Sequence, residues 1–298
     1  RLVTKTIVIQ GKGSIGLRHA LNLKELGYRV LFLRRINNNN SFNSSYNFEE
    51  TFSFTESLNF NPIGAIICTP SSLHPQDAMK FLKNGIPVYI EKPLGFKISK
   101  YRLSKLKHFY KNKIIHGGYH LRYSDEINKF FSEIKKQKIL KIDFVWKTNA
   151  KKWHPWENYN NSYSINYNLG GGVIHTCSHE IDLCLSLFHK LKTNGIKYKL
   201  DNENKIVSKI SANFLSDETK IGIELDYFSL DKQRKIYVKT INRDYIFDFD
   251  NHPNLQEDAY KKSLKDFLTA IKYGKNTVSN FENSLKTYKI CEVLLNET

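Results

Sequence analysis

The chain has 298 residues, a hydrophobic fraction of 40% and a net charge of +17. That length exceeds one ordinary domain of roughly 100–200 residues, so two domains are expected, and the composition excludes a disordered or fibrous chain. No apolar run approaches the roughly 18 residues of a membrane span, and the 46 basic residues are spread along the chain rather than gathered in a block, which argues against membrane and nucleic-acid partners.

The N-terminus enters a strand at once, without the apolar stretch of a secretory signal, and Cys68, Cys177, Cys184 and Cys291 form no C-x-x-C pair. A cytoplasmic protein with buried, reduced thiols is expected. The first third alternates short apolar runs, at residues 7–9, 30–33, 65–68, 88–90 and 114–116, with helical stretches. Continuous apolar runs suit strands buried on both faces, so a parallel sheet wound with helices is predicted. One helix is predicted over 14–26, stopped by Gly27, and another over 75–83, ending near Gly85. Residues 37–46 are polar and low in complexity and read as a loop, 49–61 as short elements, and the basic stretch 97–113 as the solvated face of one helix.

After Gly118 the pattern changes. A helix over 123–138, an alternating strand over 140–148 and a loop over 150–168 rich in Trp, Tyr and Asn are expected, then a helix opened by Gly170, Gly171 and Gly172 and continuing to Phe188. Alternating runs at 206–215, 220–229, 234–241 and 244–250 are spaced like an antiparallel meander, and helices over 257–273 and 281–295 close the chain.

The first strand runs directly into Gly11-Lys12-Gly13-Ser14-Ile15-Gly16 and the first helix. In that strand–turn–helix context G-x-G-x-x-G reads as a dinucleotide site. Gly11 permits the turn, Gly13 the approach of a pyrophosphate and Gly16 the packing of helix on strand, while the helix N-terminus at Ser14 and Ile15 offers free N–H groups. The fold class is therefore α/β: an N-terminal Rossmann doubly wound parallel sheet over 1–118, then a C-terminal α+β domain with a mostly antiparallel open sheet over 119–298. A carboxylate roughly 20 residues past the glycines would favour NAD. Here the second strand ends in Arg34 and Arg35, which favours NADP through the 2′-phosphate, NAD remaining the alternative with the arginines on its backbone phosphates or on the surface.

Two further segments carry a resemblance. Thr69-Pro70-Ser71-Ser72-Leu73-His74 leads to Glu91-Lys92-Pro93, and Leu169-Gly170-Gly171-Gly172 to Ser178-His179-Glu180-Ile181-Asp182. Together with the glycine turn, this resembles the glucose–fructose oxidoreductase / inositol dehydrogenase / MocA (Gfo/Idh/MocA) family along essentially the whole chain. The stretch from Trp153 through Trp156 to Tyr163 is similar to members of surface-polysaccharide sugar pathways.

The resemblance implies an NAD(P)-dependent oxidoreductase acting on a sugar or sugar nucleotide, and a dimer or tetramer built on the open sheet. It implies dinucleotide contacts from Thr69, Pro70, Ser72, His74, Glu91 and Lys92, and a Lys92–Pro93 peptide bond that is often cis. Lys92 and His179 are the expected catalytic residues, sharing the proton that must leave or join the substrate oxygen. Many members carry an Asp shortly before the histidine; this chain has His175 there, which makes His175 a third candidate and opens an alternative, a catalytically weak dinucleotide-binding sensor or scaffold. Substrate contacts are expected from Tyr119, His120, Arg122, Trp153, Trp156, Tyr163 and Asp182, because aromatic faces stack on sugar rings and Arg pairs with anionic groups. His175 and His179 have an i, i+4 spacing that can bind zinc, but no H-E-x-x-H motif or third ligand accompanies them, and no metal is expected.

Overall fold

The computed structural model describes residues 5–35, 47–153 and 162–297, without the Trp153 side chain. Two compact units divide the chain: residues 1–118 with 263–281, and residues 119–262 with 282–298.

In the first unit the described elements are β1 (Thr6–Gln10), α1 (Ser14–Glu25), β2 (Arg29–Leu33), β3 (Glu49–Thr51), α2 (Phe54–Asn59), β4 (Gly64–Ile67), α3 (His74–Lys83), β5 (Val88–Ile90), α4 (Lys100–Tyr110) and β6 (Ile115–Gly117). Six of them form one sheet in the order β3-β2-β1-β4-β5-β6, every pairing parallel. The order reverses beside β1, and the C-terminal ends of strands flanking such a reversal are where open α/β sheets bind ligands. β1 and β4 are buried along their whole length, as strands covered on both faces must be. Gly27, with φ +80°, ends α1 as its composition predicts.

The second unit contains α5 (Asp125–Ile134), β7 (Ile139–Asn149), α6 (Ala150–Trp153), α7 (Val173–Thr176), α8 (His179–Leu187), β8 (Lys192–Asp201), β9 (Ile206–Ser216), β10 (Thr219–Asp226), β11 (Phe228–Thr240) and β12 (Asp244–Asp248). Its described sheet runs β12-β11-β7-β10-β9-β8, antiparallel except for the β7–β10 pair. Along β7, Ile142 and Phe144 are buried in the core with Ile181 and Cys184 of α8. The intervening residues face the opposite side, where Lys141–Asp143, Lys147–Glu224 and Lys235–Asp248 ion pairs lie.

α9 (Leu255–Tyr273) and α10 (Phe281–Asn296) close the chain. The unit boundary at 262/263 falls inside α9, so the sequence expectation of an unbroken second domain over 119–298 needs correction. The physical reason is burial: Leu264, Phe267 and Leu268 pack in one cluster with Ile7, Phe32 and Tyr89. Fully burying such a side chain contributes about 2 kcal/mol. A polar latch joins them, the Ser263 hydroxyl lying 2.9 Å from His116 Nε2 and 3.2 Å from the Tyr89 hydroxyl.

Two expectations from periodicity are corrected. The single helix from the triple glycine to Phe188 is two helices, broken at Cys177 and Ser178, so His175 and His179 do not share one continuous helix face. β8 was not anticipated; its alternating Ile196, Tyr198 and Leu200 are diluted by Lys, Asn and Gly, and as the last strand in the sheet's order it buries little.

Burial, reinforced by His19, lowers His116 from its ordinary 6.5 to about 3, and burial also lowers His74. Between about pH 6.5 and pH 3 the unfolded chain therefore binds more protons than the folded one, and stability falls as the pH falls. Urea unfolding across that range is expected to show this loss, and His116→Asn to flatten it.

Candidate functional site

The glycine turn at the end of β1 is held by close backbone approach. Gly11 has φ +105°, and a Cβ there would lie 2.7 Å from the Cys68 carbonyl oxygen; a Cβ on Gly16 would lie 2.2 Å from the Gly11 carbonyl oxygen. Only glycine fits either position without moving backbone. Gly13 is different: a Cβ on it would meet nothing within 4 Å. It is exposed and extended, and it caps α1 with no side-chain hydrogen bond and no acidic residue in the first turn. Ser14 and Ile15 thus open a helix whose first N–H groups have no side-chain acceptor among the described residues, beside an exposed Gly13. These are the features a dinucleotide pyrophosphate requires, and the residues present fit that group.

Beside this turn lies an acidic residue that the motif reading did not single out. Glu50 of β3 accepts hydrogen bonds from Lys12 and, at 2.8 Å, from Arg34 Nη1. Desolvation opposes its charge, but the two cations hold the carboxyl below its usual value. Arg35 pairs with the fully buried Asp77 of α3, whose other oxygen accepts the Thr69 hydroxyl at 2.9 Å. The NADP expectation rested on two arginines with no carboxylate nearby; each arginine has a carboxylate partner.

The turns after β4 and β5 are tied together. His74 places Nδ1 2.8 Å from the Pro93 carbonyl oxygen and Nε2 2.6 Å from that of Thr69. Pro70 and Ser72 lie half-buried in the turn between them, and the Leu73 N–H donates to the Pro70 carbonyl at 2.9 Å. The Lys92–Pro93 peptide bond is cis, and Lys92 is half-buried. Glu91 is 5% exposed, with Oε1 2.7 Å from His19 Nε2 and Oε2 accepting the Lys92 backbone N–H at 3.2 Å. Each Glu91 oxygen thus has a partner inside the unit, and through the Lys92 N–H the carboxylate braces the lysine turn. His19 falls on the helix face that carries Gly16, Ala20 and Leu23, so helical spacing could have signalled it.

In the second unit, Gly170 (φ +89°) and Gly172 (φ +106°) swing the chain into α7. His175 is buried there, and His179 begins α8. The His179 ring meets Tyr119 edge-on at 5.7 Å and His120 at 4.5 Å, and His120 stacks on Tyr260 at 3.6 Å. Burial pushes the Tyr119 phenol well up, so it stays protonated, 3.4 Å from the Ser178 hydroxyl. Arg122 forks onto Asp182, Nε to Oδ2 at 2.7 Å and Nη2 to Oδ1 at 2.9 Å, and the Thr287 hydroxyl adds a bond to Asp182 at 2.9 Å. Burial works against the charge on Arg122, but Asp182 beside it holds the guanidinium above its ordinary value. Arg122 and Asp182, both expected at the substrate, are thus bound to each other. Tyr163 is exposed in a 3-10 turn, while Trp156 and the Trp153 side chain lie outside the described residues. A second buried pair, Glu180 with Arg234 at 2.7 Å, stacks its guanidinium 3.9 Å from the Trp146 ring.

Among the described residues, no group of three or more His, Cys, Asp and Glu is placed to hold a metal, and no helix is long and apolar enough to cross a membrane.

The sheet order and the glycine turn of the first unit are those of a Rossmann domain. Residues 5–112, within the first unit, match the Gfo/Idh/MocA family model, described as an oxidoreductase family with an NAD-binding Rossmann fold. No curated protein sequence matches the chain. Among solved structures, it is similar to a myo-inositol 2-dehydrogenase from Lactobacillus plantarum, with TM-score 0.81, 16% identity, and 98% of this chain and 96% of the other covered. It is also similar to GenD2 of gentamicin A biosynthesis in complex with NAD, with TM-score 0.83, 12% identity, and 98% and 93% covered. A UDP-N-acetylglucosamine 3-dehydrogenase from Acidithiobacillus ferrooxidans has TM-score 0.76, 16% identity, and 98% and 96% covered. These likenesses establish a common fold over nearly the whole chain.

Asp182→Ala leaves the Arg122 guanidinium buried and unpaired. It is expected to cost about 3–5 kcal/mol in urea unfolding, and the paired change Arg122→Met with Asp182→Leu markedly less.

Proposed function

We propose that the protein is an NAD(P)-dependent dehydrogenase or reductase that moves a hydride between nicotinamide and a CH–OH or carbonyl centre of a sugar or sugar-nucleotide-like molecule. One observation carries this reading. The bare N-terminus of α1 and Lys92 stand at the same C-terminal edge of one parallel sheet, after β1 and β5. The names of the similar structures, an inositol and a sugar-nucleotide dehydrogenase among them, support the substrate class.

A bound nicotinamide supplies the hydride acceptor or donor. The chain supplies position and a path for the proton. Gly11, Gly13 and the first N–H groups of α1 hold the pyrophosphate. Lys92 takes the proton from the substrate hydroxyl during oxidation and returns it during reduction. His19 and Glu91 brace the lysine turn through the 2.7 Å contact. His179 is the second group through which the substrate proton passes, and His175 stands where family members commonly carry Asp. Tyr163 is exposed and offers an aromatic face to a sugar ring, and Trp153 and Trp156 are of the residue type that would stack beside it, while the buried Tyr119 acts by packing against His179. Arg122 and Asp182 act on that site by fixing the start of α8. Four free thiols suit a reducing, cytoplasmic compartment, and the face of the second sheet that carries the ion pairs suits self-association as a dimer or tetramer.

His175 in place of the carboxylate favours one other reading, a dinucleotide-binding sensor with weak catalysis. Kinetics separate the two. Inositols, aldoses and nucleotide sugars would be screened by nicotinamide absorbance. Lys92→Ala is then expected to lower kcat/KM by about 10²–10⁴-fold, with dinucleotide affinity changed less than about threefold. A protein that binds dinucleotide but turns over none of these classes is the sensor.

A further inference from the structure

The end of β2 carries Arg34 and Arg35 and no acidic residue, yet the neighbouring strand brings one to the same place. Register pairs Glu50 of β3 with Phe32 and Thr51 with Leu33, so Glu50 sits beside the last residues of β2. Its Oε1 bonds Lys12, inside the glycine turn, and its Oε2 bonds Arg34 at 2.8 Å. Glu50 therefore joins the two segments between which a Rossmann domain seats the adenosine ribose.

We propose that Glu50 is the ribose-binding carboxylate of this chain and that it makes the protein prefer NAD(H) to NADP(H). The proposal rests on the dinucleotide reading above and deepens it. A carboxylate has roughly four acceptor positions on its two oxygens. Lys12 uses one on Oε1 and Arg34 one on Oε2, which leaves one on each for a pair of adjacent donors. The 2′- and 3′-hydroxyls of a ribose are such a pair. The side chain is 23% exposed, open enough to be reached and buried enough to be held. A 2′-phosphate instead carries about −1.5 to −2 charges and three acceptor oxygens. It presents no donor to Glu50 and repels it. Lys12 and Arg34 serve by aiming the carboxylate, while Arg35 is drawn to Asp77.

The test is calorimetric titration of the full chain with NADH and NADPH, for the wild type, Glu50→Gln and Arg34→Leu, with thermal melts to verify folding. The wild type is expected to bind NADH at least about tenfold more tightly than NADPH, and Glu50→Gln to reduce that ratio by about tenfold or more by weakening NADH and strengthening NADPH. Arg34→Leu is expected to weaken NADH, because the carboxylate loses one of its guides. A wild type that prefers NADPH, with Arg34→Leu losing NADPH selectively, overturns the proposal. So does a ratio that Glu50→Gln leaves unchanged, which leaves dinucleotide binding itself intact. A wild type that binds neither dinucleotide overturns the functional reading and the proposal together.

Discussion

Everything at the first site depends on how closely backbone can approach backbone at the glycine turn. The Gly16 position lies so near the Gly11 carbonyl that a Cβ would come within 2.2 Å of it. That contact sets α1 tightly against the end of β1 and aims its N-terminus at the sheet edge. Repulsion excludes any larger residue, so the site is specified by the absence of side chains. The helix then supplies partial positive charge with no acidic residue in its first turn to neutralise it.

Around that turn the chain spends its buried charges on positioning. Glu91, Asp77 and Glu50 are each held by a donor far away in sequence: His19 for Glu91, Arg35 for Asp77, and Lys12 with Arg34 for Glu50. A buried carboxylate without such a partner costs several kcal/mol. The result is a set of turns fixed from behind, with Lys92 between a braced Glu91 and a Pro93 whose carbonyl contacts His74. The second unit repeats the principle, Asp182 with Arg122 and Glu180 with Arg234 fixing the helix that starts at His179.

The strands of the first sheet were legible because they are buried on both faces, leaving unbroken apolar runs such as Ile7-Val8-Ile9 and Ala65-Ile66-Ile67. The glycine spacing and the Glu-Lys-Pro turn were legible because local geometry dictates them. What was hidden depends on long-range contact. Glu50 sits in a three-residue strand with no periodicity to read, and only the β2–β3 pairing brings it to Arg34. Arg122 and Asp182 both suggested a ligand, and tertiary packing joined them across 60 positions. The helix break after α7 was masked by a run of buried residues on either side, in which Val173, Ile174, Cys177 and Ile181 hide the change of direction. The return of 263–281 to the first unit could not be read from a helix pattern that continues smoothly through the boundary.

Whether the glycine turn holds a dinucleotide is testable at Gly13 without disturbing the fold. Gly13 has φ −85° and ψ −173°, an extended conformation open to any residue, and a Cβ there meets nothing within 4 Å. A valine at that position fills only the space reserved for the pyrophosphate. The measurement is NADH binding by wild type and Gly13→Val, with the melting temperature of each. Micromolar binding by the wild type and a loss of more than about tenfold in the variant, at an unchanged melting temperature, is the result this account predicts. Equal affinity in the two proteins, or no binding by the wild type, would contradict it.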